Sequence, residues 1–158
     1  MIEKDKSVKS LIAEMTLDEK IAQMGSYWMW DLQTKGALDE AKFAEKLNNG
    51  IGQITRVGGA SALNPVGIAK AGNRIQKFLV EQTRLGIPAI LHEETCMGTM
   101  VVGGSVFPQM IGLAATFQPE LAEEMTRAIR KQMLAIGGRH SLAPVLDLGR
   151  DPRWGRLE

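Results

Sequence analysis

The stretch His140-Ser141-Leu142-Ala143-Pro144-Val145-Leu146-Asp147-Leu148-Gly149-Arg150-Asp151-Pro152-Arg153-Trp154-Gly155-Arg156-Leu157-Glu158 joins an apolar segment to a charged loop. Leu142 to Leu148 is mostly aliphatic, with Gly137-Gly138 before it and Gly149 after it, the pattern of a strand buried on both faces. Beyond it Arg150, Asp151, Arg153 and Arg156 alternate with Pro152, Trp154 and Gly155, so charges sit on a backbone that proline restricts and glycine frees. A charged loop at the C-terminal end of a parallel strand is where an α/β enzyme keeps its site.

Upstream, the chain alternates helical and strand patterns. Ser7 to Met15 has Val8, Leu11 and Ile12 at helical spacing, and Thr16 with Glu19 forms a capping box for a second helix. Tyr27, Trp28 and Trp30 read as an aromatic cluster covering the edge of a core. Asp39 to Leu47 is a helix with Gly50 at its C-terminal cap. Ile51 to Val57 is a strand, Asn64-Pro65 caps a helix carrying Ile68, Ala71, Ile75, Phe78 and Leu79 on one side, and Ile87 to Leu91 is a second strand. Strand, helix and strand in succession demand a parallel pair with a crossover. Thr95 to Ser105 is a loop, Phe107 to Phe117 a short turn of helix followed by a third strand at Gly112 to Thr116, and Pro119 to Ile136 an amphipathic helix in which Glu123 and Arg127 form an i,i+4 pair.

His92-Glu93-Glu94 also lies at a strand's C-terminal end. Strand side chains alternate, so His92 and Glu94 share a face and Glu93 takes the other. The two carboxylates therefore cannot act together as nucleophile and acid of a retaining glycosidase, which need about 5–5.5 Å between them. His92-Glu93-Glu94-Thr95-Cys96 is also a poor zinc motif, because the two ligands of such a motif need a helix to reach one face. Gly50-Ile51-Gly52 precedes its strand and lacks a third glycine, which argues against a dinucleotide. The sequence therefore predicts no metal and no cofactor.

Ala143-Pro144-Val145-Leu146-Asp147 and Arg150-Asp151-Pro152-Arg153-Trp154-Gly155-Arg156 resemble the signature of the N-terminal barrel domain of glycoside hydrolase family 3, the β-glucosidases and β-xylosidases. Met15-Thr16-Leu17-Asp18-Glu19-Lys20-Ile21-Ala22-Gln23-Met24, Arg84-Leu85-Gly86-Ile87-Pro88, His92-Glu93-Glu94 and Phe107-Pro108-Gln109 follow the family's order and spacing. The resemblance implies an α/β fold, a partial (β/α)8 TIM-type barrel with parallel strands and crossover helices. A whole barrel takes about 250 residues, so residues 1–158 are expected to be roughly its first half, with the rest of the barrel and a following α/β sandwich domain absent.

The resemblance also implies roles. Glu94 matches a carboxylate that accepts from sugar hydroxyls in the first subsite, and Arg156 a sugar-binding arginine. A plain Glu94 to Arg156 salt bridge joining two loops is the structural alternative. Arg150, Asp151 and Arg153 are expected to hold their loop through their own ion pairs, Glu93 to stand behind the sugar face, and His92 to orient Glu94 or be satisfied locally. The family's nucleophilic aspartate, the Lys-His pair before it and the acid/base have no match here, so no catalytic residue is expected in this chain and it should be inactive alone. Met97-Gly98 stands where related sequences commonly have His-Gly. The expected ligand is a β-linked oligosaccharide or glycoside, with a noncatalytic carbohydrate-binding or structural half-barrel module as the alternative.

Composition narrows the partners further. With 44% apolar residues and a net charge of +1, the chain can build a core and shows no basic excess for nucleic acid or an anionic membrane. One cysteine, Cys96, and no secretory pattern suggest the cytoplasm. A half barrel has two open edges, so self-association through them is expected.

Overall fold

Side chains that cap helices fix where most elements begin. The computed structural model describes residues 7–155. Ser7 caps α1 (Val8–Glu14). At α2 (Leu17–Gln23) the Thr16 hydroxyl accepts from Glu19 N at 3.2 Å and the Glu19 carboxylate accepts from Thr16 N at 2.8 Å, satisfying two amide donors at the helix start. Asp39 accepts from Ala41 N at the start of α3 (Glu40–Lys46). Asn64 accepts from Gly67 N at 2.8 Å at α4 (Pro65–Gln82), whose first residue is a proline that has no N–H to lose. α5 (Met110–Ala114) and α6 (Pro119–Ala135) follow.

The main sheet has four strands, β1 (Ser26–Trp28), β4 (Gln53–Thr55), β5 (Ile90–Glu94) and β6 (His140–Leu142), in that order and all parallel. Strands that neighbour each other in both sequence and space, joined by helical crossovers, are the arrangement of a β/α barrel opened along one side. A separate hairpin pairs β2 (Gln33–Thr34) with β3 (Ala37–Leu38) across Lys35-Gly36, both at positive φ as a two-residue turn of this kind requires.

Three expectations change. Gly112 to Thr116 is not a strand: Met110 and Leu113 lie one helical turn apart and pack on Met125, Ile129 and Met133 of α6, so the segment is helical. Only the start of Leu142 to Leu148 belongs to the sheet. The strand ends at Leu142, just before Ala143 and Pro144, and proline has no N–H for the ladder. The remaining strand is Ser26–Trp28, within the aromatic segment. β4 is the central part of its expected span, β5 is shifted three residues later than Ile87 to Leu91, and His92, Glu93 and Glu94 are its last three residues.

One face of the sheet is apolar. Ile54 and Leu91, with Tyr27 beside them, pack against Ile68, Ala71, Ile75 and Leu79 of α4 and against Met29, Leu32, Phe43 and Leu47. Phe43 meets Phe78 edge-on at a centroid distance of 5.6 Å. Burying each of these large side chains stabilises the fold by about 1.5–3 kcal/mol. Residues of the other register face away from that core, and there the polar groups collect.

Candidate functional site

Strand register aligns Trp28, Thr55, His92 and His140 across the sheet, so these four side chains leave the same face, opposite the apolar core. Ser26, two residues before Trp28, shares that face. Its hydroxyl lies 2.5 Å from the Thr55 hydroxyl, which lies 2.8 Å from His92 Nε2. The His92 and His140 rings stand 5.7 Å apart between centroids. His92 is buried and its pKa is lowered, first by burial and then by His140, so the neutral ring is favoured. Its buried Nδ1 has no hydrogen-bond partner among the described residues.

Glu93 turns the other way. It is 2% exposed, and its two oxygens accept from Gly58 N at 2.5 Å and Gly59 N at 3.1 Å. Burial raises its pKa, while those amides and the charge of Arg56 act in the opposite direction. Glu94 comes back to the face of His92 at the very end of β5, partly exposed. Among the described residues its carboxylate has neither a hydrogen bond nor an ion pair. The structure thus separates the two acids by position: Glu93 holds a loop on one face, and Glu94 stands at the strand's end on the other.

Arg56 was not singled out from the sequence. It directly follows β4, takes a left-handed conformation with φ 54°, and places its guanidinium 6.0 Å from the Trp28 ring centroid. Trp28 in turn stacks on Trp30 at 4.4 Å, and both are too exposed, at 37% and 53%, to be covering a core edge. Only Tyr27 of that aromatic cluster packs on the core. The sequence signal for Arg56 was its place immediately after a strand and before Val57-Gly58-Gly59.

In the C-terminal loop Arg153 Nη2 donates to Asp151 at 2.6 Å and its Nε at 3.0 Å, while Arg153 N also donates to the same carboxylate. The Arg153 side chain holds the Asp151 carboxyl below its ordinary pKa. Arg150 uses its backbone N–H on the Leu148 carbonyl at 2.9 Å. These contacts are local and exposed, and none of them reaches Glu94. Arg156 lies outside the described residues. No group of three or more potential metal ligands occurs among the described residues.

A cavity of about 520 Å³ opens between α6 and the Ala143-Pro144 segment, lined by Met110, Met125, Ile129 and Met133. Its apolar wall offers no carboxylate and belongs to the helix side of β6. The chemically furnished region is instead the row of strand C-terminal ends.

Residues 16–158 match the family described as glycosyl hydrolase family 3 N terminal domain. The chain is 34% identical over 164 residues to β-glucosidase C of Emericella nidulans, covering 97% of this chain and 26% of that enzyme. It is 30% identical to a periplasmic β-glucosidase/β-xylosidase of Dickeya chrysanthemi, covering 94% and 24%. Among solved structures, a β-glucosidase of Erythrobacter marinus superposes with a TM-score of 0.80 at 30% identity, covering 94% of this chain and 19% of that one. A Listeria innocua β-glucosidase in complex with isofagomine gives 0.69 at 33%, covering 98% and 20%. The chain thus spans about a fifth to a quarter of the length of these relatives. On the match from Thr16 to Glu158 and on these likenesses, the chain belongs to the N-terminal domain of glycosyl hydrolase family 3.

Proposed function

We propose that this chain contributes sugar-binding residues of the first subsite to a retaining, exo-acting β-glycosidase that releases terminal β-linked glucose or xylose. In this reading residues 1–158 are the N-terminal part of the barrel, and the nucleophile and acid/base are supplied from beyond it. The carrying observation is Glu94, a carboxylate at the C-terminal end of β5 that has no hydrogen bond or ion pair among the described residues, beside a neutral-favouring His92. A carboxylate there can accept from paired sugar hydroxyls, each bond to a charged group being worth roughly 1.5–3 kcal/mol. Arg156 is assigned to the same sugar, as a fork of donors, on its motif. The names of the relatives in Emericella and Dickeya support glucosides and xylosides as the substrate class.

Hydrolysis by the 158-residue polypeptide itself is not expected. Glu93 is buried on the far face, holding Gly58 and Gly59, so it does not serve as a second acid for Glu94. Turnover of an aryl β-glucoside or β-xyloside that disappears in Glu94→Gln would overturn this assignment. Calorimetric titration with laminaribiose tests the binding role, with affinity expected to fall at least tenfold in Glu94→Gln.

Self-association is a second part of the proposal, supported by the outer edges of β1 and β6, which have no strand partner among the described residues. The single Cys96 supports a reducing compartment such as the cytoplasm. Cell fractionation tests that location.

A further inference from the structure

We infer that Arg56 is a further sugar-contacting residue of the site proposed above, donating to the same ligand whose hydroxyls Glu94 accepts from. The inference rests on that reading of the site and goes beyond it by naming a residue that neither the motifs nor the composition marked. The sheet order β1-β4-β5 places Trp28, Arg56 and Glu94 in sequence along the C-terminal ends of three adjacent strands.

The first observation is conformational. Arg56 has φ 54°, a region that disfavours residues with a Cβ and is usually left to glycine or asparagine. A long cationic side chain kept at such a position calls for a reason in the side chain, and strained residues of this kind cluster at ligand sites. The second observation is how the guanidinium is held. A Cβ on Gly59 would stand 2.8 Å from Arg56 Nε, 3.0 Å from Nη2 and 2.8 Å from the Met100 carbonyl oxygen, so the guanidinium lies close over a backbone with no side chain. Trp28 is near it at 6.0 Å, and Glu93 fixes the supporting loop through Gly58 and Gly59. The Arg56 carbonyl accepts from Ala60 N at 2.8 Å, closing the turn.

The third observation is an unmet demand. Among the described residues Arg56 Nε is buried without an acceptor, and Arg56 forms no ion pair. A ligand that reaches the rest of this partly exposed residue must accept from its Nη groups while donating to Glu94. An anion fits poorly, since Glu94 would repel it. A neutral polyol with adjacent hydroxyls, each of which donates and accepts, satisfies both groups at once.

The test is a calorimetric titration of the 158-residue chain with laminaribiose, a neutral disaccharide, for the unaltered chain, Arg56→Asn, Arg56→Lys and Glu94→Gln. Asparagine tolerates the left-handed conformation, so Arg56→Asn should keep its circular dichroism and its thermal midpoint, or raise the latter, while affinity falls about tenfold or more. Arg56→Lys should recover part of that loss. A purely structural Arg56 predicts the reverse pattern, a lowered midpoint with affinity intact. Full affinity in Arg56→Asn, together with a loss in Glu94→Gln, would overturn the role of Arg56 and leave the site standing. Should Arg56→Asn fail to fold, full affinity in a folded Arg56→Lys is equally decisive against it, because lysine lacks the guanidinium fork. Absence of binding by the unaltered chain would overturn both the site and this inference.

Discussion

The carboxylate of Glu93 accepts a hydrogen bond of 2.5 Å from the backbone N–H of Gly58, tying the end of β5 to the loop after β4. Its second oxygen holds Gly59, over which the Arg56 guanidinium lies. This acidic residue thus shapes the loop through both of its oxygens. Its pH behaviour follows from its surroundings.

Burial raises the Glu93 pKa above its ordinary value of 4.5. A group whose folded pKa lies above its unfolded one binds its proton more tightly in the folded state. Its contribution to stability is complete below the unfolded value and is lost as pH rises through the folded one. Glu93→Gln has no such proton, so any deficit relative to the unaltered chain should narrow as pH rises above about 4.5. Urea unfolding at several pH values measures this, and a deficit that widens with pH would contradict the assignment.

Glu19 behaves oppositely. Its pKa is lowered from 4.5 to about 2, chiefly by hydrogen bonding to Arg84, with burial opposing. Arg84 Nε donates to Glu19 Oε1 at 2.8 Å, and its Nη2 donates to Glu19 Oε2 and also to the Glu14 carbonyl. The stabilisation is present above the unfolded pKa and is lost as pH falls toward about 2. The Arg84 side chain is half exposed, so solvent screens the pair and tempers its contribution. Arg84→Met should lower stability at neutral pH and leave it almost unchanged near pH 2. An equal loss at both pH values would place the effect in packing.

How far the sequence could be read depended on whether a signal was local. α4 was legible because Asn64, Pro65 and a helical apolar period lie in one window. The opposite faces of Glu93 and Glu94 were legible because strand alternation alone requires them. β1 was not, since in three residues only Tyr27 faces the core and one residue sets no period. The second half of α5 reads as a strand from sequence because the partners that make it a helix face, Met125, Ile129 and Met133, come from α6. Arg56 was hidden for a similar reason. Its meaning lies in a backbone angle and in its contacts with Gly59 and Trp28, which no spacing encodes.

Gly98 governs the loop that follows Glu94. It has φ 122°, and a Cβ there would collide with the Ser105 carbonyl oxygen and approach Val106 Cα to 3.3 Å. The same loop returns to the strand end, with Met100 N donating to the Glu94 carbonyl at 3.2 Å and Phe107 N to the Met97 carbonyl at 2.8 Å. Gly98→Ala is therefore expected to cost about 2–4 kcal/mol through strain and displaced backbone. Chemical unfolding gives the magnitude. A change within about 0.5 kcal/mol would mean that the loop shifts freely.

The last prediction concerns association of the 158-residue polypeptide. β1 pairs only with β4 and β6 only with β5, so each leaves an outer edge without a strand partner among the described residues. Parallel sheets are rarely stable with a face uncovered, yet on the face opposite the core Ile90 is 48% exposed and His140 is also exposed. Leu146 at 82% and Leu148 at 70% add apolar surface just beyond β6. Joining β6 of one copy to β1 of another in parallel, twice about a two-fold axis, brings together two sheets of four strands each. That total matches an eight-stranded closed barrel, which has no edges. Sedimentation at micromolar concentration should therefore show dimers or larger species, and Leu146→Lys with Leu148→Lys should shift them toward monomer by placing charges beside the edge. A monodisperse monomer of the unaltered chain that unfolds cooperatively would show that these edges and this face are stable in water as they stand.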